Sequence, residues 1–363
     1  MSRRPFVVDP DIRRAQTPPG WVYTSDEAFD LARERILARS WQLVADTHQV
    51  ATPGAVLPFT YCEGALDEPL VITRDHDDRL HCLSNVCTHR GMTLCEHPDH
   101  AKRLICRYHG RRFDLAGRFQ SMPEFEEAAG FPREEDHLRE IPMRAWRQFL
   151  FASLDPAHNL DEVTREMEAR IGFLPIDSAR LDTTRARDYL VRANWALYID
   201  NYLEGFHIPF VHASLAGAID YGEYALELFP FSNLQLGVAS GAEDCFDLPP
   251  GHPDAGKRIC AWYFWLFPTT MFNVYPWGIS VNIVQPLAPD RTRVRFLPYV
   301  WDASRLDRGV SADLDRVERE DESVVEAVHR AIASRHYTTG RYSPAREQCV
   351  HHFHRLLAGC LSP

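Results

Sequence analysis

The chain has 363 residues, 45% hydrophobic and 25% charged, which suggests two domains and an ordinary globular composition. A formal net charge of −11 argues against binding a nucleic-acid backbone or an anionic membrane surface. No run approaches the roughly 18 apolar residues of a spanning helix, and Met1-Ser2-Arg3-Arg4-Pro5 lacks the apolar core of a secretory signal, so a cytoplasmic protein is expected. Nine cysteines, an odd number, disfavour a full disulfide framework and favour thiols or metal ligation. Seventeen histidines are more than composition alone explains.

Residues 1–24 read as an irregular arm broken by Pro10, Pro18, Pro19 and Gly20. Thr24-Ser25-Asp26-Glu27 has the pattern of a capping box, opening an amphipathic helix over about residues 26–40. Short strands bounded by turn residues follow: Trp41–Val44, Ala55–Tyr61, Leu70–Thr73, Leu80–Leu83 and Gln148–Ser153. They indicate a small all-β domain over 41–155, ending near Asp155-Pro156. Residues 156–363 mix helices (about 160–171, 194–207 and 312–334) with strands (about 258–267, 279–286 and 291–301), the pattern of an α+β domain with helix on antiparallel sheet.

Two short loops carry the first constellation, Cys87-Thr88-His89-Arg90-Gly91 and Cys106-Arg107-Tyr108-His109-Gly110. Each offers one thiolate and one imidazole. That suits a two-iron cluster in which Cys87 and Cys106 hold one iron and His89 and His109 the other, with a raised reduction potential. Gly91 and Gly110 would let the backbone approach the cluster without a Cβ. A Cys2His2 zinc site is the rival. Such sites usually open with a C-x2-4-C or H-x3-5-H pair, which these loops lack. With Phe113-Asp114 and Gly117, the segment Cys87–Gly117 resembles the Rieske [2Fe–2S] domain. Members often carry Trp after the Tyr-His-Gly triplet, where this chain has Arg111.

The second constellation is Glu204, His207 and His212. Glu204 and His207 are spaced to share a helix face. His207 and His212 lie about 140° apart on a regular helix and converge only if it breaks, a break Pro209 can supply. Two convergent histidines and a carboxylate make the facial triad of a non-haem Fe(II) oxygenase. Downstream, Leu314, Val317, Asp321, Val324, Val325, Val328 and Ile332 form an apolar helix stripe interrupted by Asp321, while Glu320 and Glu322 fall off it and read as solvated. A buried metal would explain a carboxylate in that stripe.

The run resembles the mononuclear-iron segment of Rieske oxygenases. The resemblance implies His207, His212 and Asp321 as the iron ligands, and Glu204 as a bridge where most relatives have Asp. It implies a helix-grip (START/Bet v 1-like) antiparallel-sheet catalytic domain over 156–363, with residues 1–40 as an arm and helix packed on it. It also implies a head-to-tail homotrimer, in which Glu204 would link His207 to His109 of a neighbouring copy. With neither G-x-G-x-x-G after a strand nor a C-x4-C-x2-C run, electrons from NAD(P)H must arrive through a separate flavin and iron–sulfur reductase, directly or through a ferredoxin.

The tail Gly340-Arg341-Tyr342-Ser343, Glu347 and Val350-His351-His352-Phe353-His354 resembles the branch holding choline monooxygenase, carnitine oxygenase and glycine-betaine demethylase. Its three histidines read as packing. The expected activity is O2-dependent hydroxylation, oxidative demethylation or C–N cleavage of a small quaternary-ammonium compound. The aromatic residues from Trp262 to Phe267, with Phe272, Tyr275 and Trp277, could cage such a cation or simply form a core strand. A cavity of that kind would equally suit an aromatic ring-hydroxylating dioxygenase or an O-demethylase. A Rieske electron carrier without oxygenase activity is a further alternative, though the second iron constellation then has no purpose.

Overall fold

In the computed structural model, which describes residues 6–212, 222, 224–241, 243–308 and 314–361, the chain forms two units. One is Ala38–Ala157. The other joins residues 6–37 to the chain from His158 onward. Residues 1–5 of the arm and 312–313 at the head of the expected long helix lie outside the described residues.

The Ala38–Ala157 unit is built from short antiparallel strands. Gln42–Asp46, Phe149–Ala152 and Met143–Trp146 form one sheet. Leu80–Ser84, Glu68–Arg74, Ala55–Tyr61 and Asp99–His100 form a second. Leu104–Ile105, Arg112–Phe113 and Phe119–Ser121 form a third. Val56, Val71, Leu83, Leu104, Phe113 and Leu138 pack into one core that also buries Cys87 and Cys106.

Arg111 is 2% exposed and donates to Asp136 Oδ1 at 2.6 Å. Its guanidinium lies over the rings of Phe119, Phe131 and Phe113, 5.0, 5.4 and 5.7 Å from their centroids. A planar cation is held at this position because the pocket offers aromatic faces and a counter-ion together. The Arg111 Nη2 and the Thr88 hydroxyl both donate to the Asp136 carbonyl, so the two candidate cluster loops are tied through one residue.

In the other unit, eight antiparallel strands make one sheet. Its order runs Arg180–Leu181 and Arg187–Val191 on Arg291–Val300, then Gly278–Ala288, Thr270–Tyr275, Ile259–Leu266, Ser232–Val238 and Ala225–Phe229. The helices Trp195–Tyr202, Leu314–Ile332 and Gln348–Leu361 belong to the same unit. This is the α+β, helix-on-sheet arrangement read from the sequence. The N-terminal helix Asp26–Ala32 runs into a π-type turn, Arg33–Leu37. Its cap is Ser25, which accepts from the Ala28 N–H, and not Thr24, which ends the preceding turn Trp21–Thr24.

The chain ends meet within this unit. His351 Nε2 donates to the Asp9 carbonyl at 2.7 Å. Asp200 accepts from His354 Nε2 at 2.7 Å and from the Tyr23 hydroxyl at 2.9 Å, and the Tyr342 hydroxyl lies 2.7 Å from His354 Nδ1. His351 and His354 therefore turn to separate partners, as a packing role requires.

The Arg111–Asp136 pair can be tested by denaturation of the full chain. Burial would raise the Asp136 carboxyl, but the Arg111 and Arg133 contacts outweigh it and hold it below the usual carboxylate range. Arg111→Ala should destabilise the protein by ~3–5 kcal/mol at neutral pH, by stranding a buried carboxylate, and adding Asp136→Asn should recover part of the loss. Because the folded carboxyl is depressed, the pair's contribution is present above about pH 4 and is lost as pH falls through the folded value.

Candidate metal centres and cavity

The two loops of the first constellation close in the same way. In each, the cysteine N–H bonds to the carbonyl five residues on (Cys87 to Met92, Cys106 to Arg111, both 2.8 Å), and the glycine N–H returns to the cysteine carbonyl (Gly91 2.9 Å, Gly110 3.0 Å). Gly91 and Gly110 have φ of +73° and +75°. A Cβ at Gly91 would meet no protein atom within 4 Å, so the left-handed turn, not crowding by the protein, calls for glycine. The loops place the His89 and His109 rings 4.8 Å apart and bury both thiols.

The donor set fits a two-iron cluster. His109 Nδ1 is buried and has no protein hydrogen-bond partner. Burial, then the His109, Arg111 and Arg90 charges, push the His89 imidazole down, which favours the neutral form that ligates metal. Burial pushes the Cys87 thiol up, so a metal would displace its proton.

The second constellation rests on a helix that stops early. Trp195–Tyr202 ends before Glu204, and the next helical turn is Ile208–Val211, with Pro209 in its first turn. Glu204 and His207 therefore meet across a turn and not on one helix face. The His207 N–H donates to Glu204 Oε2 at 3.0 Å and His207 Nδ1 to Oε1 at 2.7 Å. Pro209 falls where its missing N–H needs no partner.

His212 is 1% exposed. Its Nδ1 donates to Glu320 Oε2 at 2.7 Å. This corrects the expectation that Glu320 is solvated: its side chain is 34% exposed, yet it reaches back to the histidine. Glu322, 14% exposed, pairs with Arg319 and is not fully solvated either. The remaining ring nitrogens converge. Asp321 Oδ1 lies 3.0 Å from His212 Nε2 and 3.4 Å from His207 Nε2, and one donor atom from each of the three residues falls within 4.8 Å of the others. Burial opposes the His207 imidazolium, but Asp321 and Glu204 outweigh it and push that group up to about 9. Two imidazoles braced through Nδ1 and one carboxylate fit a divalent iron with open positions.

These ligands share a cavity of about 130 Å³ with the sheet. Strand register sets Gln235, Tyr263 and Asn273 in one cross-strand row and Asn282 opposite Phe296. Tyr198, Tyr202, Tyr224 and Tyr275 complete an aromatic lining. Their hydroxyls are partly engaged: Tyr198 donates to Glu318, Tyr202 to Asn273 and Tyr224 to Gln235. Of the aromatics read from sequence as a possible cage, only Tyr263 and Tyr275 line the cavity. Trp262 bonds Asp254 and Trp265 packs on Phe353. The signal that could have found the other wall residues is a polar side chain inside an apolar strand, as at Gln235, Asn273 and Asn282.

The ring hydroxylating alpha subunit (catalytic domain) family matches residues 178–362, and the Rieske [2Fe-2S] domain family matches residues 40–132. The chloroplastic choline monooxygenase of Arabidopsis thaliana is 29% identical over 371 residues, covering 96% of this chain and 84% of that protein. The carnitine monooxygenase oxygenase subunit of Escherichia coli (strain K12) is 28% identical over 369 residues, covering 97% and 95%. The solved quaternary ammonium Rieske monooxygenase CntA matches with a TM-score of 0.78 at 25% identity, covering 98% and 97%. Naphthalene 1,2-dioxygenase from Rhodococcus sp. shares the fold with a TM-score of 0.70 at 16% identity, covering 95% and 93%.

Removing the Glu320 brace gives the test of this geometry. Glu320→Ala should weaken metal affinity at the His207–His212–Asp321 site about 10- to 100-fold, read by chelator competition. Asp321→Ala should lower iron from about three to about two per chain, since a Rieske cluster accounts for two.

Proposed function

The chain belongs to the ring-hydroxylating alpha-subunit family and carries a Rieske domain, and from that premise we propose that it is the oxygenase component of a two-component system acting on a small quaternary-ammonium compound. The observation that carries this reading is the convergence of His207, His212 and Asp321 on the wall of a tyrosine-rich cavity. Choline and carnitine monooxygenases among the relatives support the substrate class. The reaction is hydroxylation, or oxidative loss of a carbon group from nitrogen, with O2 as oxidant. A Rieske carrier without oxygenase activity would have no use for the second centre.

When bound, the mononuclear iron and the Rieske cluster supply the one-electron chemistry that reduces O2 beside the substrate. The chain's own groups set the stage. Glu204 and Glu320 hold the Nδ1 protons of His207 and His212, which directs both Nε2 lone pairs to one point. Asp321 adds one negative charge there. Tyr198, Tyr202, Tyr224, Tyr263 and Tyr275 line the cavity, and a tyrosine ring carries on its face the negative quadrupole that a methylated ammonium favours. Residues Cys87, His89, Cys106 and His109 would hold the cluster.

Within this reading the protein works in the cytoplasm as a head-to-tail homotrimer. Glu204 then accepts from His207 of its own chain and from His109 of the partner subunit, which couples the two centres. A separate flavin and iron–sulfur reductase, directly or through a ferredoxin, delivers electrons from NAD(P)H, because the chain carries no dinucleotide fingerprint.

The deciding experiment is O2 uptake with a generic reductase, offering betaine, carnitine, choline and simple arenes, followed by product analysis. Uptake with an ammonium compound and formation of its oxidised product are expected; uptake with arenes alone would overturn the reading. Glu204→Gln should leave iron content and the Rieske EPR signal intact while cluster oxidation no longer yields product, and full activity in that variant would remove the bridging role.

A further inference from the structure

One carboxylate of the cavity wall has no part in the metal centre. Glu318 sits on the Leu314–Ile332 helix, 4% exposed, and lines the cavity. Its Oε2 accepts the Tyr198 hydroxyl at 2.7 Å, and its Oε1 has no hydrogen-bond partner. A buried carboxylate oxygen without a partner is costly unless something with positive charge or an N–H or O–H group meets it. Burial pushes the Glu318 carboxyl up to about 8; the Tyr198 bond lowers it, and the Asp321 and Glu322 charges add to the rise. A cation in the cavity would take the place of that proton.

The rest of the wall has the same preference. Tyrosine rings and Phe296 supply faces for a cation, and no Lys or Arg stands among the described lining residues.

We infer that Glu318 is the charge partner of the substrate's ammonium group. This rests on the quaternary-ammonium reading above and names the group of that site that meets the cation. Glu318 acts as a specificity residue through its charge in the wall beside the bound cation.

The test is calorimetric binding to the resting holoenzyme under anaerobic conditions, without reductase. Three probes of similar shape are compared: choline (cation), glycine betaine (zwitterion) and 3,3-dimethylbutan-1-ol (neutral). Glu318→Gln keeps an acceptor for Tyr198 and removes the charge; Glu318→Asp keeps the charge on a shorter arm and serves if the glutamine variant does not fold. For wild type, choline should bind at least about tenfold more tightly than the neutral isostere. In Glu318→Gln, choline should weaken about tenfold or more while the neutral isostere holds its affinity; in Glu318→Asp the preference for choline over the isostere should persist. Equal choline affinity in wild type and Glu318→Gln, or an Asp variant with no choline preference, overturns the role of Glu318 and leaves the ammonium reading standing. A wild-type protein that binds neither ammonium probe overturns the ammonium reading and this inference together.

Discussion

Asp321 Oδ1 stands 3.0 Å from one histidine nitrogen and 3.4 Å from another, and the catalytic unit is organised around keeping those three groups together. The histidines come from a segment that leaves its helix at Tyr202, turns through Glu204 and re-enters a short helical turn at Ile208. The aspartate comes from a helix more than a hundred residues on. No local preference brings them into contact. Each imidazole has a carboxylate behind it, Glu204 or Glu320, so the ring orientations are fixed before any metal arrives. Three carboxylates around two imidazoles would repel one another without positive charge between them, which is what a divalent cation provides.

The sheet completes the site through register. Because side chains alternate along a strand, a single pairing places Gln235, Tyr263 and Asn273 side by side toward the cavity and leaves Trp262 for the Arg170–Asp254 ion pair. A slip of one residue would exchange the two sets and destroy both the cavity wall and the buried ion pair. The polar wall side chains bond one another, Tyr202 to Asn273 and Tyr224 to Gln235, so the wall keeps its shape without help from a bound molecule.

Sequence periodicity was enough for the elements that carry strong patterns. The long helix, the sheet strands Ile259–Leu266, Gly278–Ala288 and Arg291–Val300, and the helix Leu160–Ile171 all lie where alternation or 3.6-residue spacing put them. The Cys-x-His and Cys-x2-His loops were legible because a metal-binding loop needs its donors close together in the chain. Glu320 was not. Its position on the helix wheel faces outward, and only the tertiary approach of His212 turns it into a brace. Glu318 escaped notice because an isolated glutamate in an acidic helix gives no sign of burial until its partner Tyr198 is in place. The turn at Glu204 was also missed. Helix-face arithmetic assumed a continuous helix, whereas the chain had already left it before the glutamate.

The meeting of the chain ends carries a consequence for biogenesis. Asp200, at the end of the helix that leads into the ligand turn, is gripped by Tyr23 from one terminus and by His354 from the other, with Tyr342 behind it. At ordinary elongation rates, His207 leaves the peptidyl-transferase centre on the order of ten seconds before Asp321 exists, and the His354 brace follows later still. Metallation by all three ligands therefore waits until Asp321 has been made. During translation its histidines are merely side chains in a segment whose clasp has yet to be made.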